Sequence, residues 1–432
     1  MILGMCRYLR RWLVVSSVLA VAASSALSAS SALTASSALQ AAEPACNGWP
    51  IVEMSDDLVR VAVAPSVGGR VVSYRVAEHE FIFTEPSLAG QTKGIDAKDP
   101  QFWAGGARTW LAPQERWTRD GQGWPPAPSL DYGPWMVTGT ATSITATSPI
   151  EADARWNCVG MRINRTVTRH PGSTRLTVEH QITNAGTQHQ AWAAWSNVQI
   201  AATPGAAWVW LPVRQDGQYA PHGIMWYGKP GAAAEQARIC PTASIAAVQY
   251  LHREGKMGAD TPVGWVCSVE DGWAFARSFV ITPGERRTEN GNTVAVYTCG
   301  SQQLMEIETM GPLKELVPGA QFTFTEEWAA CRIPPGPVTA VTAGGVIVAP
   351  LTATNWNGEI FGTFGVFERG TANLCIGSTI VWSGPVDPRE PLTIFVTTTF
   401  PSAGGEAVLS LTTREGEREL TRCAITGDPS KR

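Results

Sequence analysis

Beyond its first 42 residues, no twelve-residue stretch of this chain carries a helical apolar period that glycine or proline leaves uninterrupted. Its 42 glycines and 30 prolines instead punctuate short segments, the pattern of tight turns between strands. Residues 58–64 and 70–76 flank the turn PSVGG and read as a hairpin, and residues 161–169 and 175–183 flank HPGST in the same way. In the second arm Leu176, Val178, His180 and Ile182 share one face, while Arg175, Thr177, Glu179, Gln181 and Thr183 share the other. Further strands are predicted over 194–201, 208–212, 244–250, 293–297, 304–308 and 322–328. The fold class is therefore all-β.

Trp103, Trp110, Trp117, Trp124 and Trp135 crowd one segment, the first four spaced by seven. A heptad helix is ruled out by Gly105, Gly106, Pro113, Gly121, Gly123 and the Pro125-Pro126 pair. FWAGGARTWLAPQERWTRDGQGWPP reads as loop with one short strand over 107–111. Indoles on a loop either roof a core or line a binding surface, and at least two of the five are expected to pack the core. In an exported chain the others point toward sugars, whose C–H faces stack on aromatic rings.

Export is the expectation from residues 1–42. Arg7, Arg10 and Arg11 form a basic start, residues 12–27 an apolar run, and ASSALS, ASSALT and ASSALQ a small-residue tract. The chain is thus expected to be secreted or periplasmic, with no membrane contact beyond the signal peptide. Its removal takes away three arginines and no acids, moving the formal charge from −4 to −7. A mildly acidic chain without a basic block excludes nucleic acid as a partner class. Eight cysteines remain after processing, and in an oxidising compartment an even count reads as disulfides, with Cys375–Cys423 the expected pair.

A Pro-rich break, IPPGPVT, follows Cys331. The expected organisation is a large β domain over 43–332, a linker over 333–337, and a C-terminal β-sandwich of five to seven strands over 338–432. The terminal GDPSKR reads as a tail.

Four stretches bear a family resemblance: LVRVAVAPSVGGRVVSYRV, GGARTWLAPQ with the downstream WPP, TRLTVEHQITNAG, and MEIETMGPLKELVPGAQFTFTEEW. In that order they resemble a bacterial branch of the galactose mutarotase-like (aldose 1-epimerase-like) superfamily, over about residues 50–332. The resemblance implies a large antiparallel supersandwich with a sugar cleft on its concave sheet. It also implies a carboxylate that removes the proton of the anomeric hydroxyl while a histidine protonates the ring oxygen.

Glu308 matches the family's glutamate by its place before Leu316-Val317-Pro318-Gly319, and alternation puts Glu306 on the same face, where repulsion would raise one carboxyl pKa. The family's histidine position falls on Ala193, Ala194 or Trp195, none of which transfers a proton. His189 lies too early, and His180, on an apolar face, reads as a core histidine. His222, in QYAPHGIMWYGK, is the best substitute. Arg108, between Gly106 and Trp110, could bind a carboxylate or paired hydroxyls, or stack on a neighbouring indole. Arg165 faces inward and needs a partner, either a cleft carboxylate or a sheet-edge ion pair.

No GxSxG, Walker loop, HExxH, dinucleotide fingerprint or Cys/His cluster is present, so no cofactor or metal is expected. The expected function is an exported carbohydrate-binding protein with Trp103, Arg108, Trp110, Trp117, Trp124 and Glu306 on the sugar. The alternative is an aldose 1-epimerase-type enzyme with Glu308 and His222 as catalytic groups. A cell-envelope scaffold is the further alternative. Oligomeric state is not legible here.

Overall fold

In a computed structural model, residues 45–121, 123–220, 222–228, 235–239, 244–354, 358–402 and 404–426 are described. The expected leader over 1–42, Cys240 and the terminal tail lie outside them.

Alternation in the sequence becomes alternation in burial. Along Leu176–Asn184 the face of Leu176, Val178, His180, Ile182 and Asn184 is buried and the positions between them are not, and the strand pairs antiparallel with Met161–Arg169 so that Arg165 sits opposite His180. Both strands belong to a ten-stranded antiparallel sheet that runs from Ala237–Ile239 at one edge to Met136–Gly139 at the other. A second antiparallel sheet, of eleven strands, packs against it over a shared apolar core. Six strands of the second sheet concern the site: β1 (Arg70–Val76), β2 (Ala107–Ala112), β3 (Gln190–Ala201), β4 (Gly255–Ala259), β5 (Val294–Thr298) and β6 (Leu304–Met310). Their spatial order is β4-β5-β6-β3-β2-β1. The expected all-β antiparallel sandwich is what forms.

Between the sheets lies a polar knot. His180 shares one hydrogen bond with the Thr109 hydroxyl at 2.8 Å and another with Glu326 at 2.9 Å, the satisfied core role its face implied. Arg277, fully buried, pairs with Glu326 at 2.6 Å and also donates to the hydroxyls of Ser196 and Thr309. Glu326 is held far below the ordinary carboxylate range: burial opposes its charge, and Arg277, His180 and Ser196 outweigh it. Arg165 finds neither of the partners expected for it. Its guanidinium donates to the Gly69 carbonyl and the Thr109 hydroxyl instead.

Residues 340–425 build two four-stranded sheets, eight strands rather than five to seven, around their own core. A separate apolar cluster joins Cys267, Ala276, Ala329 and Cys331 of the ten-stranded sheet to Val338, Val346, Val348 and Phe367. The expected Cys375–Cys423 disulfide does not form. Gly405–Thr413 lies between their strands, Cys375 facing Val408 and Cys423 facing Ala407. Two strand spacings, ~10 Å, exceed the reach of a disulfide. The seven described cysteines are free thiols.

Candidate functional site

Thr109, Ser196 and Thr309 point into the knot between the sheets. Strand alternation therefore turns their neighbours Arg108 and Trp110 on β2, Trp195, Asn197 and Gln199 on β3, and Glu306 and Glu308 on β6 to the opposite, outer face. Register aligns them: Asn197 is paired with Arg108 on one side and Glu308 on the other, and Gln199 with Glu306.

Glu306 is saturated. It accepts from Arg108 Nη2 at 3.0 Å, Asn197 Nδ2 at 2.9 Å and Gln199 Nε2 at 2.5 Å. Burial opposes its ionisation, but Arg108, with help from Gln199, Lys256 and Asn197, holds it below the usual range. Glu308 is fully buried and less well served. Asn197 Nδ2 reaches its Oε1 at 3.1 Å, and Lys256 Nζ lies 3.1 Å from Oε1 and 2.9 Å from Oε2. The Oε2 contact is an ion pair without an aligned hydrogen bond. Burial pushes the Glu308 carboxyl up to about 7, against the pull of Lys256 and assisted by Glu306. The repulsion expected of the two acids thus acts on Glu308, and desolvation acts more.

An aromatic wall stands over this floor. Trp103 and Trp124 stack at 5.3 Å and 12° between planes, Trp117 tilts against Trp124 at 5.7 Å, and Trp110 meets Trp117 and Trp195 edge-on at 5.3 Å each. The Arg108 guanidinium lies 4.1 Å over Trp110 and 5.7 Å from Trp103, so it both stacks on indole and binds a carboxylate. Trp103 is 42% exposed and Trp124 half-buried, whereas Trp110 and Trp117 are only 5% and 3% exposed. The latter two back the wall rather than face solvent. Trp135 is buried in the core, with its Nε1 on the Ser129 carbonyl.

Local chain geometry explains how the loop reaches the floor. Gly105 has φ +84° and lies where a Cβ would stand 2.5 Å from the Phe83 carbonyl oxygen. Arg70, from β1, is buried and donates to the Gly105 carbonyl at 2.7 Å while pairing with Asp131 at 3.2 Å. Asp131 in turn accepts from Trp110 Nε1 at 2.9 Å. The Gly-Gly-Arg turn therefore anchors the tryptophan loop.

Of the residues read from the sequence, Trp103, Arg108, Trp110, Trp117, Trp124, Glu306 and Glu308 come together. His222 is exposed in the loop ahead of Met225–Trp226, and no described hydrogen bond or ring contact joins it to Glu308. Lys256, Asn197, Gln199, Trp195 and Tyr227 were missed. Asn197 and Gln199 had a signal: two amides on one face of an otherwise apolar strand. Lys256 had none, because Gly255 and Gly258 disguise β4. Its ammonium sits 4.6 Å over the Trp195 ring and 5.2 Å over that of Tyr227. Among the described residues, no group of three or more His, Cys, Asp or Glu is placed to hold a metal ion.

Residues 51–331 match the model of a family described as a domain of unknown function, DUF4380. None of the curated proteins matches the sequence. Among solved structures, the chain is similar to a galactose mutarotase-like protein from Lactobacillus casei (10% identity, TM-score 0.43, 65% of this chain and 99% of that one). It is similar also to a galactose mutarotase related enzyme from Lactobacillus acidophilus (12%, 0.40, 64% and 96%). A third is a galactose mutarotase-like protein from Clostridium acetobutylicum (10%, 0.41, 65% and 95%). These neighbours carry the name of the superfamily that the four sequence stretches resemble.

Proposed function

The chain belongs to the DUF4380 family, and we propose that it is an exported protein that binds a saccharide at the outer face of its eleven-stranded sheet. Export rests on the leader read in residues 1–42. The observation that carries the binding reading is a concentration of unspent polar atoms beneath an aromatic wall. Arg108 Nε, Trp195 Nε1, Asn197 Oδ1 and Glu308 Oε2 are buried without a hydrogen-bond partner among the described residues. Two donors and one acceptor without a partner, beside a second acceptor met only by the Lys256 ammonium at 2.9 Å, are costly at one place unless a ligand or water completes them. Sugar hydroxyls both donate and accept, and the Trp103–Trp124 stack offers indole to a sugar's C–H face. A glycan array followed by calorimetry tests this. Saturable binding that weakens in Arg108→Ala is the expected result; a flat response across a broad panel contradicts it, and altered partner capture in Trp103→Ala with flat sugar titrations favours a scaffold instead.

A second reading, proton transfer at the anomeric carbon, is favoured by Glu308, a buried carboxyl brought up to about 7 and therefore able to take and return a proton near neutral pH. Polarimetry on fresh α-D-glucose and α-D-galactose tests it. The expected rate exceeds buffer and collapses in Glu308→Gln; a rate equal to buffer ends the reading.

A further inference from the structure

We propose that Lys256 is the proton donor that works with Glu308, the two forming one bifunctional pair that serves both oxygens of a sugar's anomeric carbon. The proposal rests on the proton-transfer reading and supplies the acid that no histidine provides.

The geometry is that of a pair in contact. Lys256 Nζ lies 2.9 Å from Glu308 Oε2. The anomeric hydroxyl and the ring oxygen are bonded to the same carbon, so an acceptor and a donor side by side can address both at once. Groups on opposite sides of the ring are not required. Lys256 reaches Glu308 from β4, across β5, where Ala295 lies between Glu308 and Gly258 in the ladder. Ala295 carries only a methyl group there, while the space a Cβ on Gly258 would take is occupied by the Asn292 side chain, whose Nδ2 would lie 2.4 Å from it.

The position that sequence resemblance reserves for histidine includes Trp195, and the ammonium lies over that indole. Tyr227 closes the other side, its hydroxyl fixed by Asn292 Nδ2 at 2.7 Å. Glu308 Oε2 is met by the Lys256 ammonium alone, with no further donor on it, which leaves it able to accept from a ligand hydroxyl. Lys256 is also the member of the pair that meets solvent, with 21% of its side chain exposed against none for Glu308. The ionisable groups facing the pair are Arg108 from β2, Glu306 from β6, Tyr297 from β5, and Tyr227 and Glu289 from the loops.

The step balances without a co-reactant. The Glu308 carboxylate takes the proton of the anomeric hydroxyl while the Lys256 ammonium gives one to the ring oxygen. The bond between the anomeric carbon and the ring oxygen breaks, its electron pair leaving with that oxygen, and the carbonyl forms. An open-chain aldehyde, a neutral carboxyl and a neutral amine result. After rotation of the aldehyde, closure on its other face reverses both transfers and restores carboxylate and ammonium.

The test is polarimetry on fresh α-D-glucose, α-D-galactose and α-D-glucuronate with the wild type, Lys256→Met, Lys256→Arg and Glu308→Gln, alongside calorimetry with the same sugars. Lys256→Met is expected to lose about 100-fold or more in kcat with KM little changed. Added methylammonium should restore part of that rate, and less acidic amines less of it. Lys256→Arg keeps the charge but cannot release its proton near neutral pH, so it should be slow as well. If Lys256→Met fails to fold, Lys256→Arg decides. A Lys256 variant near the wild-type rate while Glu308→Gln is inactive overturns the role of Lys256 and leaves the proton-transfer reading standing. A wild type that accelerates none of the three sugars overturns both, and calorimetry then shows separately whether binding survives.

Discussion

Glu306 and Glu308 leave the same face of one strand two residues apart, yet one carboxylate is saturated by three donors and the other is held at about 7. The split has a pH signature. Glu308 titrates near 4.5 in an ordinary setting and higher in the fold, so between those values the native state binds more protons than the unfolded chain. Its stabilising contribution is full below about 4.5 and is lost as pH rises through about 7. Glu306, held low, acts the other way and loses its contribution as pH falls. In urea unfolding from pH 5 to 8, the wild type should lose stability relative to Glu308→Gln, by up to about 3 kcal/mol. A difference constant across that window contradicts the assignment.

Glu326 is the structural counterpart, closing the knot between the sheets with Arg277, His180 and Ser196. Glu326→Gln leaves the Arg277 guanidinium buried without its countercharge. A loss of about 3–5 kcal/mol in urea unfolding is expected. A loss below about 1 kcal/mol would mean the knot is not closed as described.

The two kinds of tryptophan should separate experimentally. Trp117 is buried, with Nε1 2.5 Å from the Leu111 carbonyl, and Trp117→Ala should cost about 3–5 kcal/mol. Trp103, 42% exposed and stacked on Trp124, should change stability by less than about 1 kcal/mol as Trp103→Ala while weakening saccharide binding. Equal effects on stability from the two substitutions would contradict the wall.

Cys375 and Cys423 are separated by an intervening strand. Alkylation of unreduced, denatured protein followed by peptide mass spectrometry should find both labelled. A linked peptide containing the two would show a different strand order.

Much of the fold could be read in the sequence because alternation is a local signal. The hairpin arms come from alternation together with the turns PSVGG and HPGST, and alternation places Glu306 on the face of Glu308, which the family resemblance singles out. β3 is different: Trp192 to Ile200 are all buried, because loops cover the outer face while the ten-stranded sheet covers the inner one. Alternation in burial therefore vanishes there, and the cue left in the sequence is the pair of amides, Asn197 and Gln199, on one face. Lys256 was illegible for another reason. It meets Glu308 through two ladder pairings, and nothing near residue 256 signals residues 295 or 308. In the tryptophan loop the sequence leaves open which indoles roof the core and which face solvent, because that depends on the anchor that Arg70 and Asp131 make, a contact across 61 residues.

The most direct measurement of the central claim is a carbon NMR titration of protein labelled at glutamate carboxyls, with Glu308 assigned through Glu308→Gln, carried out with the best saccharide from the array. Binding at the proposed face should move the Glu308 resonance saturably and shift its titration midpoint away from about 7. A Glu308 resonance unmoved at saccharide concentrations that saturate calorimetry would place the sugar elsewhere and contradict the account.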